Sequence, residues 1–153
     1  ITVNGFSKAY SMTGWRLGYF AAHEDLVAQA SKLHSHSVSC ATNFVQHAGV
    51  EALSNTDVAV DQMVEAFHER RDMLVDRFAD HGVDVPVGDG AFYMMLPVDD
   101  DDQAWCERAI EEAQVATVPG SAFGAPGYAR LSYAASEERL REAVDRLAEA
   151  DLL

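Results

Sequence analysis

Two β-prone runs, Ile1-Thr2-Val3 and Leu17–Ala22, bracket a loop that carries a lysine and an arginine. The loop region reads Gly5-Phe6-Ser7-Lys8-Ala9-Tyr10-Ser11-Met12-Thr13-Gly14-Trp15-Arg16-Leu17-Gly18. This arrangement sets Lys8 between two strands, among small and apolar residues. An amine in such surroundings is partly desolvated, which favours its neutral form. A neutral amine is a nucleophile and condenses with a carbonyl. Arg16 adds a permanent planar cation suited to a phosphate, and Ser7 adds a hydroxyl. An aldehyde for the lysine and a phosphate for the arginine together describe pyridoxal phosphate. Without more context, a surface loop with an incidental lysine and arginine is the alternative.

The full string narrows the choice. Gly-Phe-Ser-Lys-x-x-Ser-Met-x-Gly-x-Arg-Leu-Gly resembles the pyridoxal-phosphate attachment signature of class I and II aminotransferases. Ala-Tyr-Ser-Met-Thr-Gly-Trp-Arg is similar to the aspartate aminotransferase branch. The resemblance implies that Lys8 attaches the cofactor and later shuttles a proton, and that Arg16 binds the cofactor phosphate. Some members have a serine at the position of Gly5 that contacts the phosphate. With glycine here, that contact either falls to Ser7 or is missing.

A second constellation lies near the C-terminus, in Tyr128-Ala129-Arg130-Leu131-Ser132-Tyr133-Ala134. Strand alternation puts Leu131 and Tyr133 on one face and Arg130 and Ser132 on the other. An arginine inside a short apolar strand calls for an anionic partner, and its fork fits a carboxylate bidentately. In the resembled family the arginine of Arg-x-Ser-Tyr/Phe-Ala binds the substrate α-carboxylate, which carries Arg130 over. A structural ion pair is the alternative. Gly90-Ala91-Phe92-Tyr93 resembles a family strand whose phenylalanine lies near the substrate, so Phe92 is a candidate substrate-side or core residue. Val118–Gly124 resembles a Val-Pro-Gly-x-x-Phe-Gly loop that shapes the entrance. Ser37–Gln46 resembles a segment at the dimer interface.

Between these motifs the periodicity predicts helices over Glu24–Leu33, Asn43–Leu53 and Asp57–Asp80. Thr42 is placed as cap of the second helix and Gly82 as stop of the third. Short strands are expected at Val83–Val87, Ala91–Leu96, Val115–Val118 and Ala129–Ala134. A solvated acidic start at Asp99–Asp102 opens a helix to about Ala113. Ser136 caps a last helix with an apolar face of Leu140, Ala143, Val144 and Leu147. Met94, Met95 and Trp105 read as core. His34, His36 and His47 form no ligand set, and no metal site is expected.

Composition bounds the partners. The net charge is −14 and the pI about 4.6, a surface that repels nucleic acid and anionic membranes. Only two lysines, Lys8 and Lys32, stand against nine arginines. Low lysine with abundant aspartate resembles a halophilic cytoplasmic protein; an ordinary acidic protein is the alternative. Cys40 and Cys106 match no metal or redox motif and read as two free, buried thiols.

The expected fold is α/β. Residues 1–54 form the end of a large mixed-sheet pyridoxal-phosphate domain, and residues 55–153 an α+β small C-terminal domain of a fold-type-I homodimer. The chain can bury one core, yet it sets the lysine at residue 8, where family members place theirs past mid-chain. The resemblance therefore implies a C-terminal portion. Its sheet strands would lack neighbours, and its activity in isolation is not expected. The implied reaction moves an amino group between an amino acid and a 2-oxo acid. A carbon–sulfur β-lyase on the same scaffold stays open. So does an aminotransferase-like effector domain of a transcription regulator.

Overall fold

The computed structural model describes residues 1–98 and 101–153. These residues form two compact units, Ile1–Met63 and Val64–Leu153, which part inside one long helix.

In the first unit, β1 (Thr2–Gly5) and β2 (Gly18–Ala21) pair antiparallel, with Thr2 opposite Ala21 and Gly5 opposite Gly18. The pairing reaches one step into the loop, where Phe6 N–H donates to Leu17 O at 3.1 Å. Residues 6–17 are thereby tied at both ends. Two helices follow, α1 (Glu24–Ser37) and α2 (Asn43–Asn55), and then the first turns of α3 (Asp57–Asp80). Helix α1 outruns its expected end at Leu33. The Ser35 and Ser37 hydroxyls donate to Lys32 O and Leu33 O at 2.9 and 2.8 Å, so these polar side chains find acceptors inside the helix. Thr42 does stand at the start of α2, but its side chain makes no capping bond. Its carbonyl instead takes the N–H groups of Val45 and Gln46. Cys40 is exposed rather than buried, because it lies in the turn between α1 and α2, directly after Ser39 in left-handed backbone (φ 64°). Every residue of β1 and β2 is exposed. The main buried cluster of this unit is Phe6, Met12 and Ala52, backed by Tyr10, Leu17 and Ala48.

The second unit is built differently. It holds the rest of α3, then β3 (Tyr93–Pro97), α4 (Asp102–Glu111), β4 (Val118–Pro119), β5 (Tyr128–Ser132) and α5 (Glu137–Glu149). The strands form one antiparallel sheet in the order β3-β5-β4. Alternation divides it cleanly. Met94, Leu96 and Ala129 are buried on one face against Leu74 and Phe78 of α3, Trp105, Cys106 and Ala109 of α4, and Leu140, Val144 and Leu147 of α5. Each fully buried large side chain of this set contributes about 1.5–3 kcal/mol. Trp105 also donates its indole N–H to Leu152 O at 3.3 Å, fastening the C-terminus.

The ends of the helices explain the chain's turns. Gly82 adopts φ 80°, and the N–H groups of Gly82 and Val83 donate to Ala79 O and Phe78 O. This paired motif ends α3 as the sequence predicts. Ser136 Oγ accepts from Arg139 N–H at 3.4 Å at the start of α5.

Three expected strands change. Val83–Val87 forms no strand; Val85 is buried, but Pro86 has no N–H to give a ladder. The strand expected from Ala91 begins at Tyr93, because Ala91 holds left-handed backbone (φ 66°). The strand expected over Val115–Val118 is only Val118–Pro119, since Gln114 (φ 57°) and the bond from Val115 N–H to Ala109 O still belong to the close of α4. The acidic helix start also changes. Asp99 and Asp100 lie outside the described residues. Asp101 caps α4 by accepting from Ala104 N–H at 3.0 Å. Asp102 is not solvated but 5% exposed. No helix among the described residues is long and apolar enough to cross a membrane.

Candidate active site

The first unit brings Ser7, Lys8 and Arg16 onto one loop, tied at its base by the β1–β2 pairing. Within the loop, Phe6 O accepts from Tyr10 and Met12 N–H, and Lys8 O accepts from Ser11 N–H at 3.2 Å. These bonds turn Phe6 and Met12 inward, where both are buried. Lys8 faces the other way and is exposed, and Ser7 is half-buried. The apolar neighbours Phe6, Tyr10 and Met12 spend their surface on the small core beneath the loop and do not bury Lys8.

A short 3-10 turn, Thr13–Trp15, ends on Arg16 in left-handed backbone (φ 54°). Ser11 is left-handed as well (φ 53°). Outside glycine such conformations cost on the order of 1–3 kcal/mol each, and they cluster at functional sites. The arginine Nη1 donates to Thr13 O at 3.0 Å, which folds the guanidinium along its own loop. Arg16 lines an open cleft of about 1000 Å³, together with Ser11, Thr13 and Trp15 from the loop and His34, Cys40 and Thr42 from the α1–α2 region. Ser11 Oγ lies 3.3 Å from Met63 Sδ, joining the loop to the second turn of α3.

The second unit brings Arg130 and Phe92 into one aromatic group. Arg130 sits on β5 opposite Met95 of β3 and Val118 of β4, on the sheet face away from the core. Its guanidinium carbon lies 3.9 Å from the centroid of the Phe123 ring and 4.3 Å from that of Tyr93. Two rings thus cover the guanidinium. Among the described residues the Arg130 side chain is in no ion pair, so the expected anionic partner is not supplied by them. Phe92 packs on Tyr93 with centroids 4.3 Å apart and on Phe67 at 6.0 Å. Behind it, the Tyr133 hydroxyl donates to Ala91 O at 3.1 Å, and Tyr133 N–H donates to Phe92 O at 3.0 Å. Burial pushes the Tyr133 phenol above its ordinary range and keeps it a donor.

Sequence reasoning missed Tyr93 and Phe123 as neighbours of Arg130. Tyr93 had a signal. Alternation along Tyr93-Met94-Met95 puts Tyr93 on the Arg130 face, diagonal to it across the ladder, within reach of long and aromatic side chains. Phe123 had none, since it arrives from a 3-10 turn, Gly120–Phe123, that alternation does not describe.

The sequence pattern of the family described as aminotransferase class I and II matches residues 1–147. The aspartate aminotransferase of Thermotoga maritima is 46% identical over 147 residues, covering 96% of this chain and 38% of that protein. A probable aspartate/prephenate aminotransferase of Aquifex aeolicus is 46% identical over 162 residues, covering 97% and 40%. Among solved structures, the Thermotoga maritima aspartate aminotransferase matches with a TM-score of 0.90 at 46% identity, over 96% of this chain and 38% of that one. The aromatic aminotransferase of Pyrococcus horikoshii matches with a TM-score of 0.92 at 37% identity, over 99% and 44%. The chain spans about two-fifths of the length of the curated relatives it matches. With the signature loop at one end, the arginine strand at the other and this likeness running between them, the chain belongs to the class I and II aminotransferase family.

Proposed function

We propose that the protein carrying this chain is a pyridoxal-phosphate-dependent aminotransferase that moves an amino group between an amino acid and a 2-oxo acid. One observation carries the reading: in a member of this family, an amine, a guanidinium and a hydroxyl share one loop tied at its base. That donor set fits the cofactor chemically. Lys8 is exposed and suits its aldehyde; Arg16, exposed on a cleft, and Ser7 suit its phosphate. When bound, pyridoxal phosphate supplies the electron sink that no side chain provides.

The chain's own residues do the rest. Lys8 holds the cofactor at rest. Freed by an incoming amino group, Nζ would take the proton from the substrate Cα as general base and, as general acid, would hand it to the cofactor's aldehyde-derived carbon rather than back to Cα. Arg16 neutralises the phosphate with a planar fork that stays charged throughout. Ser7 donates its hydroxyl to the same group. Arg130 receives the substrate α-carboxylate bidentately, and Phe92 lines the substrate side. Aspartate is the donor to test first, since similar proteins are aspartate aminotransferases.

Residues 1–54 belong, in this reading, to the end of the large cofactor-binding domain and residues 55–153 to the small domain. The helix break at Thr56, just before α3 starts at Asp57, supports a division there. The protein works as a cytoplasmic homodimer. Two free cysteines suit a reducing compartment. The exposed Val38 and Phe44 of the interface-like segment suit a second subunit.

Borohydride reduction of the holoenzyme followed by peptide mapping tests the assignment. The pyridoxyl group is expected on Lys8. Label on Lys32, or an active holoenzyme with no label, overturns it.

A further inference from the structure

Asp102 has no part in the chemistry outlined above, yet it is the one polar residue buried among the described residues, at 5% exposure. Both carboxylate oxygens point at a single residue. Oδ2 accepts from Ser121 N–H at 2.7 Å, and Oδ1 accepts from the Ser121 hydroxyl at 3.0 Å. Charge-assisted bonds of this kind are short and about twice as strong as neutral ones. Ser121 is the second residue of the 3-10 turn Gly120–Phe123. The turn is also held from the other side. Gly120 is buried, and a Cβ there would overlap the carbonyl oxygens of Ala125 and Tyr128. The turn is therefore pinned between the start of α4 and the start of β5, and its last residue is Phe123.

Phe123 is 49% exposed, a poor position for a phenylalanine with only packing to gain. Its ring nonetheless lies 3.9 Å from the Arg130 guanidinium carbon, with Tyr93 the second ring against that group. Rings in contact with a guanidinium attract its charge and restrict its orientation. The N–H edge is what remains to meet a planar anion, and a guanidinium held in one orientation loses less entropy on binding it.

Resting on the assignment of Arg130 to the substrate carboxylate, we infer that Asp102 is a positioning residue for substrate binding. It acts through Ser121 to hold Phe123 on Arg130, and Phe123 and Tyr93 orient the fork that takes the carboxylate.

The test is steady-state kinetics of the holoenzyme with 2-oxoglutarate as the varied acceptor, beside thermal unfolding of each variant. Phe123→Leu and Asp102→Ala are expected to raise KM about threefold to thirtyfold, the span of one cation–π contact, with kcat within about twofold. Loss of a merely structural contact would lower the unfolding midpoint without moving KM. Asp102→Asn can still accept from Ser121 N–H and can donate to its hydroxyl, so it is expected to restore the parent KM. Should Asp102→Ala fail to fold, Phe123→Leu and Asp102→Asn still decide the matter. Arg130→Ala separates the two readings. If it leaves KM unchanged, the assignment of Arg130 itself fails. If it raises KM a hundredfold or more while Phe123→Leu leaves KM at the parent value, the positioning inference alone is overturned.

Discussion

The two units solve opposite problems. Residues 64–153 bury Leu74, Phe78, Leu96, Val144 and Leu147 almost completely, around one sheet face and three helices. Residues 1–63 have a small cluster at Phe6, Met12 and Ala52 and leave Ile1, Val3 and Leu33 more than 70% exposed. The poorly packed unit nevertheless carries the Lys8 amine, the Arg16 guanidinium and three left-handed residues, Ser11, Arg16 and Ser39. Strain and exposed reactive groups are expected where chemistry is done, and they need stability supplied from elsewhere. The second unit carries its arginine on the outer face of a sheet whose inner face is the core. It therefore meets both demands within one strand.

Separating the units gives the largest contrast. Residues 64–153 expressed alone should unfold cooperatively by circular dichroism. Residues 1–63 alone should show no cooperative transition, having too little apolar surface buried to offset chain entropy; a sharp transition there would break the contrast. Next in size is Lys8→Ala. It should lower kcat by about 10²–10⁴-fold or more, yet shift unfolding free energy by no more than about 0.5 kcal/mol, as Lys8 is exposed. Stability falls in the other unit: Phe78→Ala should cost about 3–5 kcal/mol in denaturant titration, against about 0.5 kcal/mol or less for Val3→Ala.

The smallest effect is a pH slope. Burial pushes the Cys106 thiol above its ordinary 9.0, against a bond from the Thr117 hydroxyl that pulls it down. Below 9.0 the thiol is protonated whether folded or unfolded, and its contribution is complete. As pH rises past that value the unfolded thiol ionises first, the unfolded state binds fewer protons, and stability falls. Between pH 9 and 10, below the range where Tyr133 adds the same trend, the slope should stay under about 1.4 kcal/mol per pH unit. It should vanish in Cys106→Ala.

What could be seen in the sequence follows from what acts locally. The extent of α3, the stop at Gly82 and the Ser136 cap are each set by a few neighbouring residues, and they were legible. So was the alternation that turns Arg130 away from the core face. Local pattern failed where a distant group decided the outcome. Asp102 sits in a run of acids that reads as solvated, and only Ser121, nineteen positions on, draws it inside. Val83–Val87 has strand-like residues but no partner, and Pro86 offers no donor. Cys40 reads as a small buried hydrophobe, whereas its place in an interhelical turn leaves it in solvent. The exposure of Lys8 was hidden for a related reason. Composition shows which neighbours are apolar but not which way the backbone turns them.

One consequence of the β5 alternation reaches beyond this fold. Ala129 is buried in the core, while Arg130, the next residue, lies under aromatic rings on the far side of the sheet. Neighbours in sequence thus face opposite sides of the sheet, and coupling between substitutions at the two positions passes through the backbone they share. Tyr93 and Met95 stand in the same relation to Met94 and Leu96. Such a strand lets selection, natural or in the laboratory, explore new binding preferences at every second position without eroding the scaffold. A single inserted residue would exchange the two roles along the whole strand. Point changes on this strand are accordingly the safe currency of adaptation, and insertions and deletions the ruinous one.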